Sequence, residues 1–422
     1  MSFQQGLSGL NASSKNLDVI GNNIANANTY GAKTSRAEFA DMYASALNGA
    51  GANHIGIGVN LQTVAQQFTQ GNITTTDNGM DISINGGGFF QVTDGKNPTM
   101  YTRNGQFKVD REGYIVNNDK LNLLGYPADG AGVIQPGLSQ PLRLPTAGIS
   151  PQVTTSIDLE MNLDSRLGAT APASGTGIDF NDAKTYNNAT SHTLYDAKGQ
   201  QVAMTYYFQK AASPADTWNI YATANGTSVA GTNAAPQPLT TVTFSTDGGT
   251  ITSPAGPVTI DIPASTNTAG AATLPITGIQ FDLSNSTQYG SAFGVSDLLQ
   301  DGYAAGTLSG VVVEDNGIVL ARYSNGESKP VGQIELANFR NPQGLQPLGG
   351  NLWARTYTSG DPVVNVPGEG NMGGLQAGAL EESNVDLTGE LVNMITAQRI
   401  YQANAQTIKT QDQVLQTLVS LR

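Results

Sequence analysis

The sequence predicts a mainly β protein with α-helical termini, in which nested antiparallel β-domains lie between an N-terminal and a C-terminal helix. Three observations support this fold class. Both ends carry apolar residues at every seventh position, and the middle consists of short alternating segments separated by turn dipeptides. The chain also has 50 glycines and only 13% charged residues, which is typical of a turn-rich β protein. Because 422 residues exceed what one hydrophobic core usually serves, two or three domains are expected.

The N-terminal helix is predicted from about Ser2 to Asn26. Gly6, Gly9 and Gly21 lie inside it, and each glycine costs about 1 kcal/mol relative to alanine, so the helix is weak alone. Its apolar residues form a stripe on one helical face, which requires a partner. The residues predicted to form this part of a helix seam are Phe3, Leu7, Leu10, Leu17 and Ile24.

The C-terminal stretch, 381–422, is the longest uninterrupted helical pattern. From Glu390 onward it contains neither glycine nor proline, so nothing breaks a helix of roughly 30 residues. Two matched stripes at the two termini predict that the helices pair as a coiled coil; the alternative is that each helix packs on its own globular domain. The seam residues predicted here are Leu387, Leu391, Met394, Tyr401, Ile408, Leu415 and Leu418.

Between the helices, the pattern predicts two connectors and two β-domains. The connectors, 31–70 and 360–379, are rich in Asn, Gly and Ser, and one helical turn is expected at 36–47. Turn dipeptides such as Asn104-Gly105 separate alternating strands and predict hairpins. We assign 1–30 and 380–422 to a terminal helical domain, 71–148 and 301–359 to a first discontinuous β-domain, and 149–300 to an inserted outer β-domain.

The residues give little support for catalysis. Cysteine is absent, which excludes disulfides and zinc-thiolate sites, and no G-x-S-x-G nucleophile motif occurs. His54 and His192 are expected to be solvated loop residues, since neither has acidic or histidine neighbours at metal spacing. The glycines at 86–88 precede two phenylalanines rather than Lys-Ser/Thr, so a tight turn is expected instead of a phosphate site. We therefore predict no catalytic, cofactor-binding or metal residues and no cofactor.

Charge and hydropathy limit the partners and the location. The net charge of -13 argues against nucleic acid as a partner. No segment approaches the roughly 18 apolar residues of a membrane span, and no cleaved signal is recognisable. Taken without other information, these features predict a cytoplasmic protein.

Four stretches of the chain contain distinctive sequence motifs. They are SGLNASSKNLDVIGNNIANANTYGAKTSRAEF (8–39), NGGGFFQV (85–92), YTRNGQFKVDREGYIVN (101–117) and GALEESNVDLTGELVNMITAQRIYQANAQTIKTQDQVLQTLVSLR (378–422). Together they resemble the signatures of the bacterial flagellar rod and hook axial proteins. The residues that carry the terminal motifs are Asn22, Asn23, Ile24, Asn26, Asn28, Thr29, Ser383, Asn384, Asp386 and Arg399. Ser383 and Asp386 also resemble a capping box at the start of the C-terminal helix.

The resemblance implies a structural subunit that assembles with copies of itself into an open helical tube, with the paired termini as its inner layer. It also implies export from the cell without a cleaved signal peptide, which reverses the cytoplasmic prediction. The implied partners are flagellar rod and hook-filament junction proteins, the hook cap and the export apparatus, with no nucleic acid and no membrane insertion. Arg399 is a possible contact between subunits.

Within this family, the insertion of roughly 150 residues favours the hook over the rod, whose subunits are typically shorter. A rod subunit remains the nearest alternative. A hypothesis from another class is a secreted β-rich adhesin or hydrolase, with the insertion as its active part. Carboxylate pairs such as Asp77 with Asp81, or Asp110 with Glu112, could serve glycoside hydrolysis, although nothing singles out one pair.

Overall fold

The computed structural model describes residues 2–43, 56–130, 132–170 and 177–420. It divides into two compact units. Unit 1 comprises Met1–Thr146, Gly310–Arg322 and Ser328–Arg422, and unit 2 comprises Ala147–Ser309 and Tyr323–Glu327. The predicted fold class, mainly β with helical termini, is confirmed.

The two helices, α1 (Ser2–Ala25) and α2 (Leu387–Ser420), pack against each other in unit 1. They run antiparallel, because Gly6 lies at Ile408 and Gly9 at Asn404, whereas Asn23 near the other end of α1 reaches Glu390. A Cβ atom at Gly6 would lie 3.0 Å from Ile408 Cγ1. Gly6 and Gly9, which weaken α1 alone, therefore allow the helices to approach closely.

A β-hairpin follows α1 and lies along it. Strands β1 (Ser35–Tyr43) and β2 (Gly56–Gln66) pair antiparallel. Ser8 Oγ donates to Val59 O at 2.6 Å and accepts from Val59 N at 2.8 Å, which fixes the hairpin to the helix. The prediction of an irregular connector with a helical turn at 36–47 is wrong for the described part of that stretch. Its strand partner lies about 20 residues further on, and local sequence patterns do not reveal such a pairing.

Unit 1 contains the strand meander that the turn dipeptides predicted. Gly105 is required there, because its carbonyl oxygen accepts from Ile82 N at 3.0 Å and an added Cβ would lie 1.6 Å from the carbonyl oxygen of Ile82. The strands in this part are β3 (Ile73–Thr75), β4 (Ile82–Asn85), β5 (Phe89–Thr93), β6 (Met100–Thr102), β7 (Lys108–Val109), β8 (Ile115–Val116), β9 (Asn122–Pro127) and β10 (Gln140–Pro141).

Unit 2 has its own core, formed between two sheets and centred on Trp218, Tyr206 and Phe281. One sheet has the order β12-β13-β14-β18-β19 and the other β20-β21-β11-β22. The strands are β11 (Ser156–Asn162), β12 (Asn188–Tyr195), β13 (Gln201–Lys210), β14 (Thr217–Ala224), β15 (Thr227–Ser228), β16 (Gly231–Thr232), β17 (Ala235–Pro236), β18 (Thr240–Phe244), β19 (Ile251–Ser253), β20 (Val258–Ile262), β21 (Ile276–Asp282) and β22 (Gly294–Gln300).

His192 does not lie in a solvated loop, contrary to the prediction. It is in β12, half-buried, and its ring stacks on Tyr206 with the centroids 5.5 Å apart. The alternation of β12 turns His192 toward the same face as the buried Leu194. His54 lies outside the described residues.

After unit 2 the chain completes the main sheet of unit 1, whose longest path is β23-β24-β25-β9-β5-β6-β28-β27. The segment predicted as the second connector contains β29 and β30, which pair with β26 and β4. No helix in the described part of the chain is long and apolar enough to cross a bilayer. The remaining strands are β23 (Leu308–Val313), β24 (Ile318–Tyr323), β25 (Ser328–Ile334), β26 (Leu336–Asn338), β27 (Gln346–Gly349), β28 (Leu352–Ala354), β29 (Val363–Asn365), β30 (Gly374–Ala377) and β31 (Ala379–Glu381).

Candidate assembly site

The three motif-bearing parts of unit 1 meet at one buried carboxylate, that of Glu381. Lys33 Nζ donates to Glu381 Oε1 at 2.6 Å, and Arg103 Nη1 donates to Oε2 at 3.0 Å. The backbone N–H of Gly71 adds a third bond to Oε1 at 2.9 Å. The side chains of Lys33 and Glu381 are fully buried and that of Arg103 is 5% exposed. This charge cluster therefore joins the segment between α1 and β1, the β-meander, and strand β31, which precedes α2.

The charge cluster holds two cations and one carboxylate, so it carries more positive than negative charge. Burial lowers the pKa of the Lys33 amine, and the neighbouring Glu381 offsets part of that effect. Burial likewise lowers the pKa of Arg103. Further acceptors compensate, because Lys33 Nζ also donates to Thr69 O at 2.8 Å and Arg103 Nη2 to Gly86 O at 2.8 Å. Such a cluster fixes geometry strongly, since removal of one partner leaves a buried charge unpaired.

Two asparagines of the family motifs connect the same segments. Asn23 accepts from Ser35 N at 2.9 Å and donates to Ser35 O at 2.8 Å. Asn384 accepts from Thr34 N at 2.7 Å and donates to Gln67 O at 2.8 Å. Each side chain thus mimics a backbone pairing between a helix end and the hairpin. These contacts give the two motif asparagines a structural role that the sequence motif alone did not predict.

The other motif residues have local or exposed positions. Asp386 Oδ1 accepts from Thr388 N at 3.0 Å and caps α2, which begins at Leu387. Ser383 lies too far before the helix to be its cap, so the capping-box prediction is wrong. Asn26 donates to Asn22 O at 2.9 Å at the end of α1, and Thr29 donates to Asn26. Asn28 and Arg399 are exposed, and Ile24 is half-buried.

The structure divides the predicted seam into two sets. Leu10, Leu17, Ile24, Met394 and Ile408 are half-buried, and Ile408 contacts α1 of the same chain. The side chain of Leu418 lies outside the described residues. The seam residues that stay more than a third exposed are Phe3, Leu7, Leu387, Leu391, Tyr401 and Leu415.

Helix α2 also exposes apolar residues that the seven-residue line missed. About half or more of each side chain is exposed, including that of Ile400, which borders the pocket between α1 and α2. A strict seven-residue count follows one line only, whereas summing hydrophobicity around the helix would have found them. These exposed residues are Val392, Ile395, Ile400, Val414 and Val419.

The exposed side chains of α2 give the helix pair an apolar surface. Within the described residues, no three His, Asp or Glu side chains come together in a way that could hold a metal ion. A helix pair with large apolar side chains exposed along 34 residues of α2 is typical of a surface that binds another protein.

Comparison with known proteins decides the family. Family descriptions match in chain order: "Flagella basal body rod protein" (3–33), "Flagellar hook protein FlgE/F/G D1 domain" (83–160), "Flagellar basal body protein FlaE D2 domain" (162–303) and "Flagellar basal body rod FlgEFG protein C-terminal" (376–421). The flagellar hook protein FlgE of Salmonella typhimurium is 42% identical over 425 residues, which cover all of both chains. The chain belongs to the flagellar hook protein FlgE family.

Other FlgE proteins agree along the full length. FlgE of Escherichia coli is 40% identical over all of both chains, and FlgE of Treponema pallidum is 32% identical over all of this chain and 99% of its own. The crystal structure of Helicobacter pylori FlgE2 matches with a TM-score of 0.52 at 16% identity, covering 73% of this chain and 100% of that one. At that identity the match supports the fold alone. Because the FlgE relatives align through the insertion as well as the termini, they favour the hook over the rod.

Proposed function

We propose that this chain is the structural subunit of the bacterial flagellar hook. It polymerises into a curved helical tube that links the rod to the filament and transmits motor torque as a universal joint. It acts outside the cell after export without a cleaved signal peptide, and it is not an enzyme and needs no cofactor. Membership of the FlgE family and the full-length identity to named hook proteins support this proposal.

The observation that carries polymerisation is the exposed apolar surface of α2. Leu391 is 45% exposed, Ile395 52% and Ile400 51%, although α2 already packs on α1 of its own chain. Covering such side chains stabilises an assembly by about 25 cal/mol per Å² of apolar area. A contact between different patches of identical subunits does not close on itself unless the rotation happens to form a ring, so it produces an open polymer.

The layers of the tube follow from the domain assignment, which we retain as part of the proposal. Residues 1–30 and 380–422 form the inner coiled-coil layer, and 71–148 with 301–359 form the next layer. The inserted domain, 149–300, forms the outermost layer. The proposed partners are copies of the chain, rod and hook-filament junction proteins, the hook cap and the export apparatus.

The charge cluster at Glu381 changes where bending is expected. A flexible connector at 31–70 would absorb the changes in subunit spacing along a curved tube. Its described part instead forms a hairpin fixed to α1 and is held by buried ion pairs. We therefore assign the spacing changes to sliding between neighbouring subunits, rather than to this junction.

Ile395→Asp tests the proposal. A carboxylate at this exposed position leaves the monomer unchanged but must be buried or neutralised in the tube. If burial costs about 4 kcal/mol, the critical concentration for polymerisation rises roughly a thousandfold, since 1.4 kcal/mol is a factor of ten. Sedimentation of polymer at increasing subunit concentration measures this.

The matched control is Gln398→Asp, which adds the same charge to an exposed polar position of α2. It is expected to polymerise within about tenfold of the unmodified chain. Equal polymerisation of Ile395→Asp and Gln398→Asp, or a monomer melting point lowered by more than about 4 °C in Ile395→Asp, would contradict the assembly role of this surface.

A further inference from the structure

A groove of about 350 Å³ lies between α1, α2 and β1 in unit 1. Its floor contains the buried side chains of Ile20 and Ala397, and Val19 and Ile400 stand at its two sides. Ile400 is 51% exposed although it borders an apolar floor. The rest of the lining is mostly polar, with side chains such as Asn16 and Asn393, so the groove suits a segment that carries both apolar and polar side chains.

Two polar atoms in the groove lack a partner. Gln67 Nε2 and Glu390 Oε2 are both shielded from solvent, and neither makes a hydrogen bond. One is a donor and the other an acceptor. A buried donor or acceptor without a hydrogen bond lowers the stability of the fold. A segment that supplied an acceptor to Gln67 Nε2 and a donor to Glu390 Oε2 would therefore gain binding free energy here.

The opposite end of the helix pair carries a segment that α1 does not cover. From the contacts of Gly6 with Ile408 and of Gly9 with Asn404, the first residue of α1 lies level with about residue 411 of α2. Residues 412–420, here called the overhang, extend about 13 Å past that point. Leu415 continues the line of α2 that faces α1, yet it is 54% exposed.

The overhang matches the groove in chemistry. Val414 and Leu415 offer apolar side chains, and the amides of Gln413 and Gln416 each contain both a donor and an acceptor. Asp412 on the overhang is opposite in charge to Arg36 beside the groove, which pairs with Glu38 at 2.6 Å while its side chain stays 67% exposed. Apolar, hydrogen-bonding and charged groups therefore all have counterparts.

We propose that the groove of one subunit binds the overhang of a second copy of the chain. The contact cannot form within one chain, because Ile400 and Leu415 lie on the same helix, about 22 Å apart. Every subunit then offers a groove at one end of its helix pair and an overhang at the other, which is a head-to-tail contact. This inference rests on the proposed function and adds the pair of surfaces that would join neighbouring subunits.

The absence of cysteine makes a direct test possible. The double variant Ile400→Cys/Leu415→Cys is assembled into tubes and oxidised, and the products are separated without reductant. A disulfide requires Cα atoms within about 7 Å, so a bond between these positions must join two chains. A ladder of covalent multimers is the expected result.

The matched control is Gln398→Cys/Leu415→Cys, which moves one cysteine two residues along α2 to a face turned away from the groove. It should give less than about a tenth of the covalent multimers, because the Cα atoms of its two cysteines lie too far apart for a disulfide. The variant Val19→Cys/Leu415→Cys replaces Ile400→Cys on the opposite side of the groove if the latter does not assemble.

The outcomes separate the two proposals. Tubes that give no ladder with either groove variant, or the same ladder with the control, overturn the docking of the overhang and leave the hook function intact. Failure of the unmodified chain to form tubes overturns the proposed function itself.

Discussion

At the scale of single residues, Glu381 separates what the sequence predicts from what it does not. Glu381 and Arg103 both lie in recognisable motifs, but no pattern in the sequence predicted that their side chains form an ion pair. The two positions are 278 residues apart, and the third partner, Lys33, is 348 residues from Glu381. Charge pairing over such separations depends on the completed fold. A helix cap depends on neighbouring residues instead, and the predicted cap, Ser383, lies three residues from the observed cap, Asp386.

Glu381→Gln is predicted to destabilise unit 1 strongly. The amide keeps the size of the side chain but leaves Lys33 and Arg103 buried without a counter-charge. Removal of one partner from a buried ion pair costs about 3–5 kcal/mol, which urea unfolding of unit 1 would measure. Glu382→Gln, one residue away and partly exposed, is the control and should cost less than about 0.5 kcal/mol. A loss below about 1 kcal/mol for Glu381→Gln would show that the charge cluster is not a structural clamp.

The partly buried position of His192 predicts that the folded state of unit 2 loses stability in acid. Burial lowers its pKa from the usual 6.5 to about 4, so the folded state favours the neutral ring. The stabilisation is complete above pH 6.5 and is lost as the pH falls from 6.5 toward 4, amounting to at most about 3 kcal/mol. His192→Phe keeps the stack on Tyr206 and should flatten this part of the stability curve, measured as melting temperature against pH. An unchanged pH profile in His192→Phe would exclude this residue as the cause.

At the scale of elements, patterns with local causes were read correctly and those with distant causes were not. The terminal helices follow from apolar period and uninterrupted helix formers. The hairpin predicted at Asn104-Gly105 is wrong, because β6 pairs with β5 and β28 rather than with β7, and Gly105 O instead accepts from the distant Ile82 N. Strand β1 was missed because its partner is β2 and its support is α1. The seven-residue line includes Ile408, which lies against Gly6 of the same chain in the structure.

Two glycines of α1 are predicted to respond in opposite directions. A Cβ added at Gly21 would have no atom within 4 Å, so Gly21→Ala should stabilise the helix pair by about 0.5–1 kcal/mol. At Gly6 a Cβ would already lie 3.0 Å from Ile408, and Gly6→Leu should push the helices apart. Limited proteolysis of the monomer within α1 measures both effects. Equal protection of the two variants would contradict the close helix contact at Gly6.

At the scale of the whole molecule, the chain enters and leaves unit 2 through two segments that are joined by isolated β-bridges. Ile149 and Gly306 exchange two backbone hydrogen bonds, of 2.8 and 3.2 Å, and Gln152 and Tyr303 exchange two of 3.0 Å. The change in composition and the prolines predicted an insertion, but sequence alone could not show that its ends are paired. Two ends held side by side close the unit without help from the rest of the chain.

The fragment Ala147–Ser309 is therefore predicted to fold alone and to melt in one cooperative transition. Its core of buried residues from both sheets lies entirely within it, and the bonds that it loses include those to 323–327, such as that from Asn325 Nδ2 to Ala304 O. A shorter fragment, 147–248, lacks β19 to β22 and should stay unfolded, since it removes most of one sheet. The folded fragment should also fail to polymerise at any concentration that assembles the full chain, because it lacks α1 and α2. Tubes formed from this fragment would show that unit 2, and not the helix pair, carries assembly.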